Sequence, residues 1–109
     1  MEAVITLRDP ADRDPLVADS IPLQRATREE PGCLTYCFTA DPVHDDRIVV
    51  VEAWTSPDAL DEHLHHDNYR QMFRLLTSRT ITDFSGQKHL VERSAPVYGD
   101  DGKPTGRFD

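Results

Sequence analysis

The chain has 109 residues, enough for one domain with a core but few enough that a second copy would help bury apolar strand faces. Its formal net charge of -8 repels phosphate backbones and anionic lipid surfaces, which argues against nucleic acid as a partner. No apolar run approaches the roughly 18 residues of a membrane span and the N-terminus lacks the basic-then-apolar order of a signal peptide, so a cytoplasmic protein without a membrane partner is expected.

Ala3 to Arg8 is rich in β-branched residues and predicts a first strand, ended by the polar loop from Asp9 to Asp14. Asp14 and Pro15 supply an N-cap and a first-turn proline for a helix running towards Glu30. Pro22 falls inside that helix, where it lacks a donor and crowds the preceding turn. A kink near Asp19 to Ile21, or a fresh start capped by Ser20, is therefore expected.

Pro31-Gly32 stops the helix and opens a second strand in which Leu34, Tyr36 and Phe38 alternate with Cys33, Thr35 and Cys37. This places the two thiols on one face, with Cα atoms roughly 13 Å apart at strand rise. That exceeds the roughly 7 Å limit for a disulfide, and no second cysteine pair completes a tetrahedral metal site. After the turn-rich stretch from Asp41 to Asp46, Ile48 to Thr55 reads as a third strand, apolar on both faces except for Glu52. One domain's helices can cover only one of those faces, so a homodimer is expected.

Ser56 as N-cap and Pro57 at the first helical position start a second helix reaching about His66. Asp67-Asn68 interrupts it, and a further helix from Tyr69 to about Thr77 carries Met72, Phe73 and Leu76 on one stripe. Gln87 to Arg93 is the expected last strand. The order is then βαββαβ, a ferredoxin-like α+β fold with an antiparallel sheet, occupying residues 1–94. Residues 95–109 hold only Val97, Tyr98 and Phe108 as large apolar side chains and cannot form a core. They read as a frayed tail or a dimer arm, with a tight turn at Asp101-Gly102.

Among residues able to carry chemistry, His63 lies about 60° from Leu60 around the helix and His65 about 140° from it. His63 should therefore face inward and His65 the solvent. His63, His65, His66 and Glu62 suggest a metal site, but two positions one turn apart lack a clear third ligand, and a solvated helix end explains them. Glu52 and Trp54 share a strand face with Ile48 and Val50. A buried carboxylate needs a partner, so Glu52 is expected to pair with Arg8, Arg70 or Arg74, or else to stand at a pocket mouth or dimer contact. Tyr36, Phe38, Tyr69, Met72 and Phe73 complete an aromatic and soft apolar set, suited either to a core or to a cavity for a flat phenol.

The run Pro31-Gly32-Cys33-Leu34-Thr35-Tyr36-Cys37-Phe38, then Glu52-Ala53-Trp54, the cap Ser56-Pro57-Asp58, Ala59-Leu60-Asp61-Glu62-His63 and a following aromatic resembles the antibiotic biosynthesis monooxygenase family. The resemblance covers roughly Val4 to Val91 and implies a dimeric α+β barrel. It also implies oxidation of a small phenol or quinol by O2 with no metal, flavin or haem. By that resemblance His63 is the proton acceptor or oxyanion partner, Tyr69 a hydrogen-bonding group, and Trp54, Tyr36, Phe38, Phe73, Met72 and Glu52 line the substrate site. A related haem-degrading branch is disfavoured, because Ala3 to Arg8 has no Asn and Phe73 stands where that branch places its iron-ligating His. Other relatives are non-oxidative, as isomerases or binding and stress-type barrels, and that alternative stays open.

Overall fold

A computed structural model describes residues 1–108; the expectation for the tail also takes in Asp109, outside them. The elements are β1 (Glu2–Leu7), a short 3-10 turn (Pro10–Asp12), α1 (Arg13–Arg28), β2 (Cys33–Ala40), β3 (Arg47–Trp54), α2 (Pro57–Leu64), α3 (Asp67–Thr77) and β4 (Ile81–Gln87). The sheet order is β2-β3-β1-β4 with every pair antiparallel, the ferredoxin-like arrangement expected from the element order.

The helices pack on one sheet face. Ala3, Ile5 and Leu7 of β1, Tyr36 and Phe38 of β2, and Ile48 and Val50 of β3 are buried there with Leu16 of α1 and Met72 of α3. Their period-two spacing on each strand is what a one-sided core requires. The alternate residues Val4, Val49, Val51, Ala53 and Cys37 face the other side, where they are half-buried or exposed.

Several local expectations need correction. The first helix starts at Arg13 rather than Pro15, because Asp9 caps the 3-10 turn (Oδ1 accepts from Ala11 N at 3.0 Å) and that turn feeds straight into α1. Pro22 does not split α1, and Ser20 starts no new helix. The Gln24 side chain donates to Ser20 Oγ at 2.9 Å and Ser20 donates to the Val17 carbonyl at 2.7 Å, bridging the turn that Pro22 weakens. Gln24 also exchanges two 3.0 Å bonds with the Phe38 backbone, and Arg28 Nε donates to the Tyr36 carbonyl at 2.8 Å. These side chains satisfy the open edge of β2 and fix Tyr36 and Phe38 in place.

A bulge in β2 changes the cysteine reading. Cys33 pairs with Trp54 and Thr35 with Ala53, leaving Leu34 as the extra residue, 66% exposed rather than on the aromatic face. The bulge sets Cys33 on the inner face, packed against the core, and Cys37 opposite Val51 on the outer face. The two thiols therefore do not share a face. The second helix ends at Leu64, and the break falls at His65-His66, where His66 caps α3 by accepting from Asn68 N at 3.0 Å. Asp67-Asn68 belongs to the first turn of α3. The last strand is Ile81–Gln87, not Gln87 to Arg93: Phe84 pairs with Ile5, while Leu90 and Val91 lie exposed beyond the sheet. Asp83 and Ser85 hide this edge strand from a propensity reading, because their polar side chains sit on its wet face. In the tail, Gly102 adopts φ +74 in a turn that pairs Tyr98 with Pro104.

Candidate functional site

The site begins at the sharp link between α1 and β2. Gly32 has φ +81, and a Cβ there would fall 2.6 Å from both Ala59 Cβ and Thr55 Oγ1. Only glycine allows that approach, and it lets the start of α2 dock against the start of β2. Ser56 Oγ caps α2 by accepting from Ala59 N at 3.1 Å. The final turn of α2 then carries His63 under the sheet, next to Glu30 from the opposite side of the Gly32 link.

His63 is 2% exposed and lies between two carboxylates that are themselves buried, Glu30 at 9% and Glu52 at 5%. Its Nδ1 is 3.0 and 3.1 Å from the two oxygens of Glu30, and Asn68 Nδ2 donates to Glu30 Oε2 at 3.0 Å. A carboxylate only accepts, so Nδ1 carries the proton and Nε2 is left as the free ring nitrogen. Nε2 is 4.0 Å from Glu52 Oε1, too far for a hydrogen bond. Trp54 Nε1 donates to that same oxygen at 3.1 Å. The indole stacks on the imidazole with centroids 4.7 Å apart, and Tyr36 and Tyr69 meet it edge-on at 5.4 and 5.9 Å. Three titratable side chains so deeply buried would be costly without partners; here each holds at least one.

A cavity of about 310 Å³ opens beside this group, between the sheet and α3. Ile5, Phe38, Val50, Met72, Phe73 and Phe84 are among its apolar walls, while Glu52, His63, Tyr36 and Tyr69 form its polar end. Of the residues the sequence suggested for binding, Tyr36, Phe38, Glu52, Met72 and Phe73 line the cavity with His63 and Tyr69. Trp54 does not. It stands behind the imidazole, holding the His63 ring and the Glu52 carboxylate rather than forming a wall. Of the two placements expected for Glu52, the arginine pairing is not formed and the one at a pocket is: Arg70 turns outward to Asp67 at 3.5 Å, and the Glu52 contacts are Trp54 and His63.

Burial raises the pKa of Glu52 above the ordinary carboxylate range, against the opposing pull of the Trp54 bond and His63. Burial also pushes the Tyr36 phenol up, reinforced by the Glu52 charge. The Cys33 thiol is raised by burial and then by Glu30, which keeps it in the unreactive protonated form. His65 and His66 are exposed and turn to local backbone partners, so the three imidazoles of this stretch do not converge. Among the described residues no group of three or more His, Cys, Asp or Glu side chains is arranged to hold a metal ion.

Sequence reasoning missed Glu30 and Asn68. A signal for Glu30 existed, since two acidic residues, Glu29 and Glu30, follow the C-terminus of α1, where the helix dipole disfavours negative charge. A carboxylate in that position needs a partner elsewhere. Asn68 carried no comparable signal, because a polar residue in a first helical turn is ordinary.

The same arrangement of sheet and helices occurs in proteins already solved. A Deinococcus radiodurans protein provisionally named an antibiotic biosynthesis monooxygenase superposes with a TM-score of 0.74 at 21% identity, covering 90% of this chain and 96% of that one. A conserved protein from Methanosarcina mazei gives 0.65 at 20% identity over 77% of this chain and 84% of its own. A further structure, named an antibiotic biosynthesis monooxygenase, gives 0.63 at 26% identity over 78% and 92%. An uncharacterised Synechocystis protein is 33% identical over 54 residues, which make up 50% of this chain and only 37% of that protein. No helix of the described residues is long and apolar enough to cross a membrane. The family model for antibiotic biosynthesis monooxygenases matches residues 4–75, from β1 into α3, and with that match the chain belongs to the antibiotic biosynthesis monooxygenase family.

Proposed function

We propose that the protein is a cofactor-independent monooxygenase that oxidises a small phenolic or quinol-type aromatic with O2. The observation that carries this reading is the setting of His63: Nδ1 is held by Glu30, and Nε2 is free beside an apolar cavity. Such an imidazole is an oriented proton acceptor, with Glu30 positioned to stabilise the imidazolium that forms. The 4.0 Å gap between Nε2 and Glu52 Oε1 matches one hydroxyl oxygen seated about 2.8 Å from each. A phenol placed there donates its proton to Nε2, and its oxygen sits within reach of the Glu52 carboxyl.

The remaining chemistry belongs to the substrate. The phenolate passes one electron to O2, and the resulting radical pair recombines to a C–O bond at a ring carbon, with a proton completing a hydroperoxide. Loss of water from that carbon breaks the O–O bond and leaves a carbonyl. One oxygen atom enters the quinone, the other leaves as water, and the substrate supplies all four electrons. The protein's part is to bind, deprotonate and exclude water in a mostly apolar cavity. We further propose that two copies associate through the outer sheet face.

Oxygen uptake against a panel of dihydroxynaphthalenes, catechols and anthrone-like compounds tests the reading. Uptake stoichiometric with quinone formation is expected. No uptake with any of them would leave a non-oxidative isomerase or binding protein as the function.

A further inference from the structure

Resting on the cavity reading above, we infer that the site is selective for uncharged aromatic ligands and rejects their carboxylated counterparts. Two features of the polar end combine. Beside the Tyr36 and Tyr69 hydroxyls, His63 Nε2 and Glu52 Oε1 lie 4.0 Å apart there, which leaves room between them for one shared oxygen that brings a proton. A carboxylate or sulfonate brings only acceptors, so an oxygen of it seated between those two groups would face the Nε2 lone pair with no proton to share.

Charge acts in the same direction. Glu52 faces the cavity and Glu30 lies directly behind the imidazole, and no lysine or arginine is among the lining residues. Met1 lines the cavity, and its α-ammonium donates to the Glu52 carbonyl oxygen at 2.7 Å. Among the described residues neither Glu30 nor Glu52 has an ion pair to Lys or Arg. An anionic ligand would therefore enter a weakly screened region holding Glu30, Glu52 and the His63 imidazole, in which the Met1 α-ammonium offsets part of the negative charge. Acid-binding sites solve that problem with arginine forks, which this cavity lacks.

The size of the cavity narrows the class further. About 310 Å³ lies at the low end of ligand pockets, roughly 300–1,000 Å³, and suits a ligand of one or two rings.

The test is anaerobic binding to the full chain, by calorimetry or by the fluorescence of its one tryptophan, Trp54. The probes are 2-naphthol, 2-naphthamide and 2-naphthoate at pH 7. The two neutral compounds are expected to bind, with 2-naphthoate about tenfold weaker or worse. Because amide and acid are nearly equal in size, that comparison isolates charge and hydrogen-bond sense without any variant. Glu52→Gln should narrow the difference. Equal binding of 2-naphthoate and 2-naphthamide, or no binding of either neutral compound, would overturn the inference. Oxygen plays no part in these measurements. A protein that binds as expected yet consumes no O2 would therefore lose the oxidase reading and keep its ligand class.

Discussion

On the inner face of the sheet, Ile5, Ile48 and Val50 lie packed beneath α1 and α3, whereas their neighbours Val4, Val49 and Val51 on the outer face remain half-buried or exposed. The same β-branched chemistry alternates along β1 and β3, yet among the described residues only one set has a cover. The inner face tolerates three buried titratable groups because Glu30, His63, Glu52, Asn68 and Trp54 satisfy one another. The outer face has no such polar network along β3. Its apolar stripe at Val49, Val51 and Ala53 is suited to pack against a like surface, and nothing in it is built for chemistry. On the proposed reading, function and association fall on opposite sides of a single sheet.

Substitutions on the two faces would break or sharpen that contrast. The largest effect is expected at Val51, 46% exposed and central on the outer face. If two copies meet there, Val51→Lys appears twice in the interface and buries unpaired charge at a cost of several kcal/mol. The sedimentation mass should fall from twice 12.4 kDa to 12.4 kDa. A wild-type mass of one chain at micromolar concentration would remove the outer face from this role.

On the inner face, Met72→Ala empties space between α3 and the sheet and should cost about 2–5 kcal/mol, read from denaturant unfolding. Next in size is His63→Ala, expected to lower turnover on an accepted substrate by about 10²-fold or more, as for a lost general base. Normal turnover in that variant would remove His63 from the mechanism.

Glu52→Gln should produce a smaller, pH-dependent change. The folded carboxyl holds its proton above the ordinary range, so the folded state retains that proton where the unfolded state has released it. Wild-type stability from this group therefore falls as pH rises from the ordinary carboxylate pKa through the raised folded value. The variant keeps an acceptor for Trp54 Nε1 but carries no charge. Its melting temperature should exceed wild type at pH 7, at about 4–8 °C for each kcal/mol recovered, and the gain should vanish near pH 4. A gain that is equal at both pH values would contradict the assignment of burial as the cause. The smallest effect is expected at His65, two residues from His63 but exposed, where His65→Ala should leave turnover unchanged and stability within about 0.5 kcal/mol.

Local chemistry made much of the frame legible in advance. Hydrophobic alternation in β1, β2 and β3, the Ser56-Pro57 start of α2 and the Pro31-Gly32 stop specify the βαββαβ order, because each depends on residues adjacent in the chain. Helix geometry likewise turns His63 inward and His65 outward from spacing alone. The failures have a common origin in pairing between distant segments. The bulge at Leu34 separates Cys33 from Cys37 only because β2 must register with β3, and β4 lies at Ile81–Gln87 only because β1 offers its free edge there. Glu30 is 33 residues from His63, and no periodicity links them; the positive φ of Gly32 and the close approach of Ala59 bring them together. The sequence by itself determined which residues could form strands, caps and an inward imidazole, since these follow from steric and hydrogen-bonding preferences within a few residues. Only the tertiary structure decided that the imidazole would lie between two carboxylates, because that depends on which desolvated charges find partners once the helices close over the sheet.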